Sequence, residues 1–280
     1  LLLEGLCRRW GFYFTAEKDS SATGSCDFSM ILNGFNEHQD YKRARMMNEG
    51  NKRTSESVEH VRETARRGLC QLLLARFLLL HLLAEEVKAV KSPLSWATYR
   101  RLWVLLQAQP EQVFGADIYI DFDVFADLAL LLRRAGRDDL EKRIRATYRD
   151  LQSLLGTTFF FCVLDEAQVT TNINYRDFFS EDNASPRPVL REIWLSWTSV
   201  LSTSKMCVVI SGTGIQLDEI TQTLASSAAK QANYRIINEI GAFDDLDDQA
   251  MYIKQYIPAD WTDKRWKDFL DRAWAWCHSR

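Results

Sequence analysis

The pattern of apolar and polar positions separates the chain into a few short, wholly apolar runs and many helical stretches. Phe159-Phe160-Phe161-Cys162-Val163-Leu164 runs without a polar break into Asp165-Glu166-Ala167-Gln168. No alternation interrupts the run, so both faces are expected to be buried, as in a central strand of a parallel sheet. Met206-Cys207-Val208-Val209-Ile210 repeats the pattern and ends in Ser211-Gly212-Thr213-Gly214. Phe12 to Ala16 reads as a short aromatic strand after Gly11, and Tyr234 to Ile240 as a further strand.

Helical spacing accounts for most of the remainder. Leu2, Leu3, Leu6 and Trp10 share one face of an opening helix that starts in mid-pattern and without Met. It reads as a helix whose beginning has been cut away, and the chain therefore as a fragment. Ser55 to Val90 is one long helix, apolar nearly all round from Leu69 to Leu83. That span is short for a bilayer and carries Gln71, Arg76 and His81, so a buried core helix is expected. His81 is read as a core or boundary histidine lacking a partner four residues away. Further helices are expected at 95–106, 124–134, 139–155, 190–201 and 215–230, then from Asp244 to Tyr256 and from Trp261 to Arg280. Glu17 to Asn51, Phe114 to Phe122 and Thr170 to Pro188 are polar and read as loops or connectors. Lys42, Arg43 and Arg45 read as a solvated face, and Asp121, Asp123 and Asp127 as a solvated acidic turn, since the glycine and terminal glutamate of a Ca2+ loop are missing.

Charge and cysteine usage narrow the classes. A net charge of −3 argues against a general binder of phosphate backbones, so nucleic acid is not indicated as a partner. The six cysteines form no CxxC pair, and the four histidines show no metal-ligand spacing. Free thiols in a reducing, intracellular compartment (cytoplasm or nucleus) are expected, with no membrane partner.

The chemistry gathers where the apolar strands end. In open α/β sheets, ligands bind at the carboxyl ends of strands. A strand ending in Asp-Glu next to one ending in a hydroxyl suits a Mg-nucleotide. Asp165 would hold the metal, Glu166 would activate water, and Ser211 or Thr213 would sense the γ-phosphate. Gln168 could orient the water or cap a helix start. Arg187 and Arg191 could serve as an arginine finger, although a plain salt bridge at a helix start is the simpler reading.

Four blocks carry a resemblance: Leu2-Leu3-Glu4-Gly5-Leu6-Cys7, Trp10 to Thr15, Val163-Leu164-Asp165-Glu166-Ala167-Gln168, and Val209-Ile210-Ser211-Gly212-Thr213-Gly214. In this order they resemble a family of fungal P-loop NTPase domains similar to the ATPase modules of Crinkler-type effectors and retrotransposon-hot-spot proteins. The resemblance spans roughly residues 1–215 and is loose in the helical segments. It implies a three-layer α/β fold of the ASCE type, with a parallel sheet, helical insertions and a C-terminal helical extension. The implied division is an NTPase core over 1–243, with an insertion at about 52–155, and a helical lid from 244 to 280. It also implies Mg2+ and ATP as ligands, Asp165 as the Walker B acid, Glu166 as the catalytic glutamate and Ser211 or Thr213 as the sensor. A homo-oligomer or other protein partners are possible on the same ground. The chain departs from the family in having no G-x-x-x-x-G-K-[ST] loop. The family pattern puts that loop just ahead of Leu1. Without it, the 280 residues are expected to bind Mg-ATP poorly, and a nucleotide-independent interaction module is the alternative.

Overall fold

A computed structural model describes residues 2–18, 23–37, 39–49, 54–114, 123–173, 177–179, 185–201, 205–213, 215, 235, 237, 245–254 and 263–277. The chain divides into two compact units, Leu1–Ala232 and Asn233–Arg280.

The first unit is a mixed α/β structure built on three parallel strands, β1 (Gly11–Thr15), β2 (Phe160–Asp165) and the third long strand, Met206–Ile210. Their spatial order is their sequence order, with the acid-ended β2 in the middle. The register sets Tyr13 opposite Val163 and Thr15 opposite Asp165 on one side, and Val163 opposite Val209 and Leu164 opposite Ile210 on the other. β3 (Phe178–Phe179) and β4 (Pro186–Arg187) form a separate small antiparallel pair, so the third strand of the main sheet is β5.

Alternation along each strand gives the sheet two different faces. Phe12 and Phe14 of β1, with Phe160, Cys162 and Leu164 of β2, are all 0% exposed. They pack under α4 (Ser55–Ala89), α8 (Arg137–Leu155) and α10 (Val189–Val200). Phe160 lies with its ring centroid 5.6–5.7 Å from those of Phe12, Phe77 of α4 and Tyr148 of α8. Trp197 of α10 meets Phe14 at 4.8 Å. On the opposite face a smaller cluster joins Tyr13 and Val163 to Leu6 of α1 (Leu2–Arg8) and Val104 of α5 (Trp96–Ala108).

α4 begins at a capping box, in which Thr54 and Ser57 exchange side-chain to backbone bonds. By length and composition it could cross a membrane, yet 67% of its most apolar window is buried inside the protein. It is the central helix of the core, as its all-round apolar pattern predicts. His81 does have a neighbour four residues on: its Nδ1 lies 3.4 Å from Glu85 Oε2. α5 starts at Ser95, whose hydroxyl accepts from Thr98 N, and α8 ends at Gly156 in the left-handed conformation.

The polar stretch expected to be a loop over 17–51 instead holds α2 (Asp27–Gly34), a short 3-10 turn (Phe35–Glu37) and α3 (Gln39–Glu49). Phe28, Leu32, Phe35 and Tyr41 reach the core from it, so a few aromatic anchors outweigh the polar composition. Asp27 of α2 and Arg76 of α4 are both fully buried and pair at 2.9 Å, with the guanidinium stacked 3.7 Å above the Phe125 ring. Burial pushes the Asp27 carboxyl up and the Arg76 guanidinium down, against their mutual attraction. Asp123 is likewise no solvated acid. It is 4% exposed, caps α7 (Val124–Leu131) and accepts from Ser25 Oγ at 2.9 Å and Cys26 N at 2.8 Å. Arg45, expected on a solvated face, lies 3.2 Å from the buried carboxylate of Asp177. Within 170–188, α9 (Val169–Asn172) and the β3–β4 pair replace the expected loop. α6 (Pro110–Phe114) closes the stretch after α5. The connector at 115–122, most of the helix expected at 215–230 and most of the strand expected at 234–240 lie outside the described residues.

The second unit contains α11 (Leu246–Lys254) and α12 (Asp263–Cys277). Gln249 donates to Ala273 O at 3.4 Å, which ties the two helices together. Trp266 and Phe269 stack with ring centroids 6.4 Å apart.

Candidate functional site

The middle strand delivers Asp165 and Glu166 to the carboxyl end of the sheet. β2 cannot continue past them, because Glu166 adopts a left-handed backbone with φ of 53°. A non-glycine residue there carries strain of about 1–3 kcal/mol and redirects the chain sharply into α9. Backbone bonds hold the turn on both sides. Ala16 N donates to Asp165 O at 2.9 Å, Ser211 N to Leu164 O at 2.9 Å, and Ala167 N to Ser211 O at 2.9 Å. Asp165, Glu166, Gln168 and Ser211 are therefore brought to one locus, as the spacing predicts. Thr213 stands two residues beyond Ser211 and is exposed.

Each acid already has an internal partner. Tyr13 OH donates to Asp165 Oδ2 at 3.0 Å, and Glu166 N to Asp165 Oδ1 at 3.1 Å. Gln168 Nε2 donates to Glu166 Oε2 at 2.5 Å. The Gln168 Oε1 atom is buried and has no hydrogen-bond partner among the described residues. It faces Gly212, where a Cβ would strike this oxygen and come within 3.0 Å of Gln168 N. Gly212 is thus required by close approach of the two turns.

Tyr13 is the site residue that the sequence reading passes over. A signal was present: a tyrosine within an aromatic strand needs a partner for its hydroxyl once buried. What could not be read was the register, which puts Tyr13 two residues before the level of Asp165.

Among the described residues no group of three His, Cys, Asp or Glu side chains could enclose a metal ion. Mg2+ does not require such a cage. It is usually held by one or two carboxylates together with waters and the phosphates of its nucleotide. Asp165 keeps acceptor capacity on each oxygen beyond its one bond, and the Ser211 hydroxyl stands on the neighbouring strand end, so the residues present fit the acidic side of such a site. The phosphate-cradling loop with its lysine does not occur in these 280 residues.

Arg191 is 4% exposed and lies 2.8 Å from the buried Glu192, which also engages Arg66 at 3.2 Å. It is a core ion pair, which disposes of the arginine-finger reading at that position. Arg187 lies in the small β3–β4 pair, opposite Phe178. Five described cysteines, including Cys162 and Cys207 of the sheet, are free thiols.

No family model, no curated protein and no solved structure matches the chain.

Proposed function

We propose that the first unit is the acid-and-sensor portion of a Mg2+-dependent nucleoside triphosphatase of the P-loop, ASCE type, with ATP as its substrate. The observation that carries this reading is the parallel pairing of β2 with β5. It brings an Asp-Glu pair and a hydroxyl side by side at the carboxyl edge of the sheet. Helices on both faces of that sheet agree with a three-layer architecture.

In this reading Asp165 holds the metal ion, and Tyr13 and the Glu166 amide hold Asp165 in place. A bound Mg2+ would neutralise charge on the phosphate oxygens. Glu166 accepts a proton from the attacking water, a role that requires its carboxylate to leave the Gln168 amide or share it. Ser211, half-buried between the two strand ends, is the better sensor; Thr213 is farther from the acids along the chain and more exposed.

The test is Mg2+-dependent ATP hydrolysis by the natural protein that contains these residues. Glu166→Gln is expected to lower kcat about 10²–10⁴-fold, the usual contribution of a general base. Asp165→Asn is expected to raise the Mg2+ concentration needed for half-maximal activity. Undiminished turnover in the Glu166 variant sinks the assignment of the base.

One further reading has an observation of its own. The sequence lacks G-x-x-x-x-G-K-[ST], and each carboxylate already accepts an internal hydrogen bond. A nucleotide-independent interaction module needs no more than that. It predicts that Mg-ATP leaves the melting temperature of the natural protein unchanged, whereas a nucleotide-binding protein is stabilised by its ligand.

A further inference from the structure

A second concave surface lies in a different place from the strand ends. α2, α4, the end of α7 and the 3-10 turn that follows it (Leu132–Arg134) line a groove of about 710 Å³. One wall is a stripe of α4 running from Thr64 through Arg67 and Gly68 to Gln71, about 10 Å of helix. Gly68 lets α2 approach closely, since a Cβ there would lie 2.9 Å from both Ile31 and Phe35. The floor is apolar, from Met30, Ile31 and Phe35.

The charged groups around that floor are mostly of one sign. Arg133 and Arg134 line the groove together with Arg67, and among the described residues that line it Glu37 is the one acid. Arg133 and Arg134 are exposed and make no ion pair among the described residues. Gln71 also lines it. Beside the arginines, Leu130 and Leu131 are 41% and 79% exposed, an apolar pair at the groove's mouth.

We propose that this groove docks an acidic, amphipathic helix of a partner protein. Apolar residues one turn apart would fill the floor and cover Leu130 and Leu131. Flanking carboxylates would meet Arg133 and Arg134. The charge is complementary to an acidic segment and repels a basic one, and a groove that runs along a helix and opens onto exposed leucines suits a segment of chain. The inference is independent of the nucleotide reading.

The experiment pans a random twelve-residue display library on the chain, with counter-selection on the R133E/R134E double variant. The enriched consensus peptide is then titrated by fluorescence anisotropy. Expected are acidic sequences with apolar residues at three- or four-residue spacing. Binding should weaken about tenfold or more in R133E/R134E, and also in Leu131→Asp, whose exposed position leaves the core intact. Neutral or basic consensus sequences, or equal affinity for the double variant, overturn the proposal. So does binding to phosphatidylserine vesicles with no acidic peptide enriched, which would make the groove a lipid contact instead.

Discussion

The two faces of the parallel sheet are built from the same three strands and are packed very differently. The face of Phe12, Phe14, Phe160, Cys162 and Leu164 lies under three helices and is fully excluded from water. The other face is closed over Tyr13 and Val163 by α1 and α5, and the cover thins toward β5, where Val209 is half-exposed and Cys207 exposed. The edges differ in the same sense. Along β1, Gln107 of α5 accepts from Tyr13 N at 3.0 Å, and Trp103 donates to Gly11 O at 2.8 Å. Among the described residues β5 pairs with β2 alone. The heavily packed face therefore supplies the cohesion of the unit. The candidate chemistry sits at the strand ends, with Asp165 on the thinner face beside Tyr13.

The sharpest way to break this comparison is to truncate one apolar side chain on each face. Phe160→Ala empties the meeting point of Phe12, Phe77 and Tyr148 and is expected to cost about 3–5 kcal/mol. Val209→Ala removes half-exposed atoms from the thin face and is expected to cost about 1 kcal/mol or less. Urea unfolding of both variants measures the difference. Equal losses would mean that the two faces share the load.

The next effect concerns the covered edge. Gln107 is fully buried, and its amide serves β1 at both ends, accepting from Tyr13 N and donating to Gly11 O at 3.3 Å. Gln107→Leu keeps the bulk and orphans a buried strand amide, an expected loss of about 1–3 kcal/mol. A change smaller than about 0.5 kcal/mol would show that water reaches this edge as well.

How far the sequence could be read follows from the same contrast. The three apolar strands, the long α4 and the convergence of Asp165, Glu166 and Ser211 were legible because burial leaves an unbroken apolar pattern and topology does the rest. The helices at 27–49 were not, since a polar surface hides the anchors Phe28, Phe35 and Tyr41 from any reading by composition. Asp123 and Arg45 look solvated in sequence. Their partners, Ser25 and Asp177, lie about a hundred residues or more away, and no local pattern announces a long-range pair. Tyr13 was missed for want of register, and Arg191 looked free because the burial of Glu192 could not be seen.

The smallest effect near neutral pH lies in the thiols, and it separates the two regions by proton chemistry. Cys70 of α4 is 1% exposed, and burial, aided by the nearby Glu141 carboxylate, pushes its thiol up to about 12 from an ordinary value of 9.0. Cys162, wholly buried on the heavy face, is pushed well above the same value by burial. A thiol whose folded pKa is raised contributes its full stability below pH 9, where both states are protonated. Above that, the unfolded chain releases the proton first, and stability falls by about 1.4 kcal/mol per pH unit for each such thiol until the folded pKa is passed. Cys70→Ala should make the loss between pH 9 and 11 shallower by one proton, as read from urea unfolding at each pH. The native protein should also react with a thiol reagent at the exposed Cys207 of β5, slowly because partial burial raises this thiol too, while Cys70 and Cys162 react only after unfolding. An unchanged slope in the Cys70 variant would mean that water reaches this thiol in the folded state and that α4 and α8 are less tightly closed than the heavy face requires.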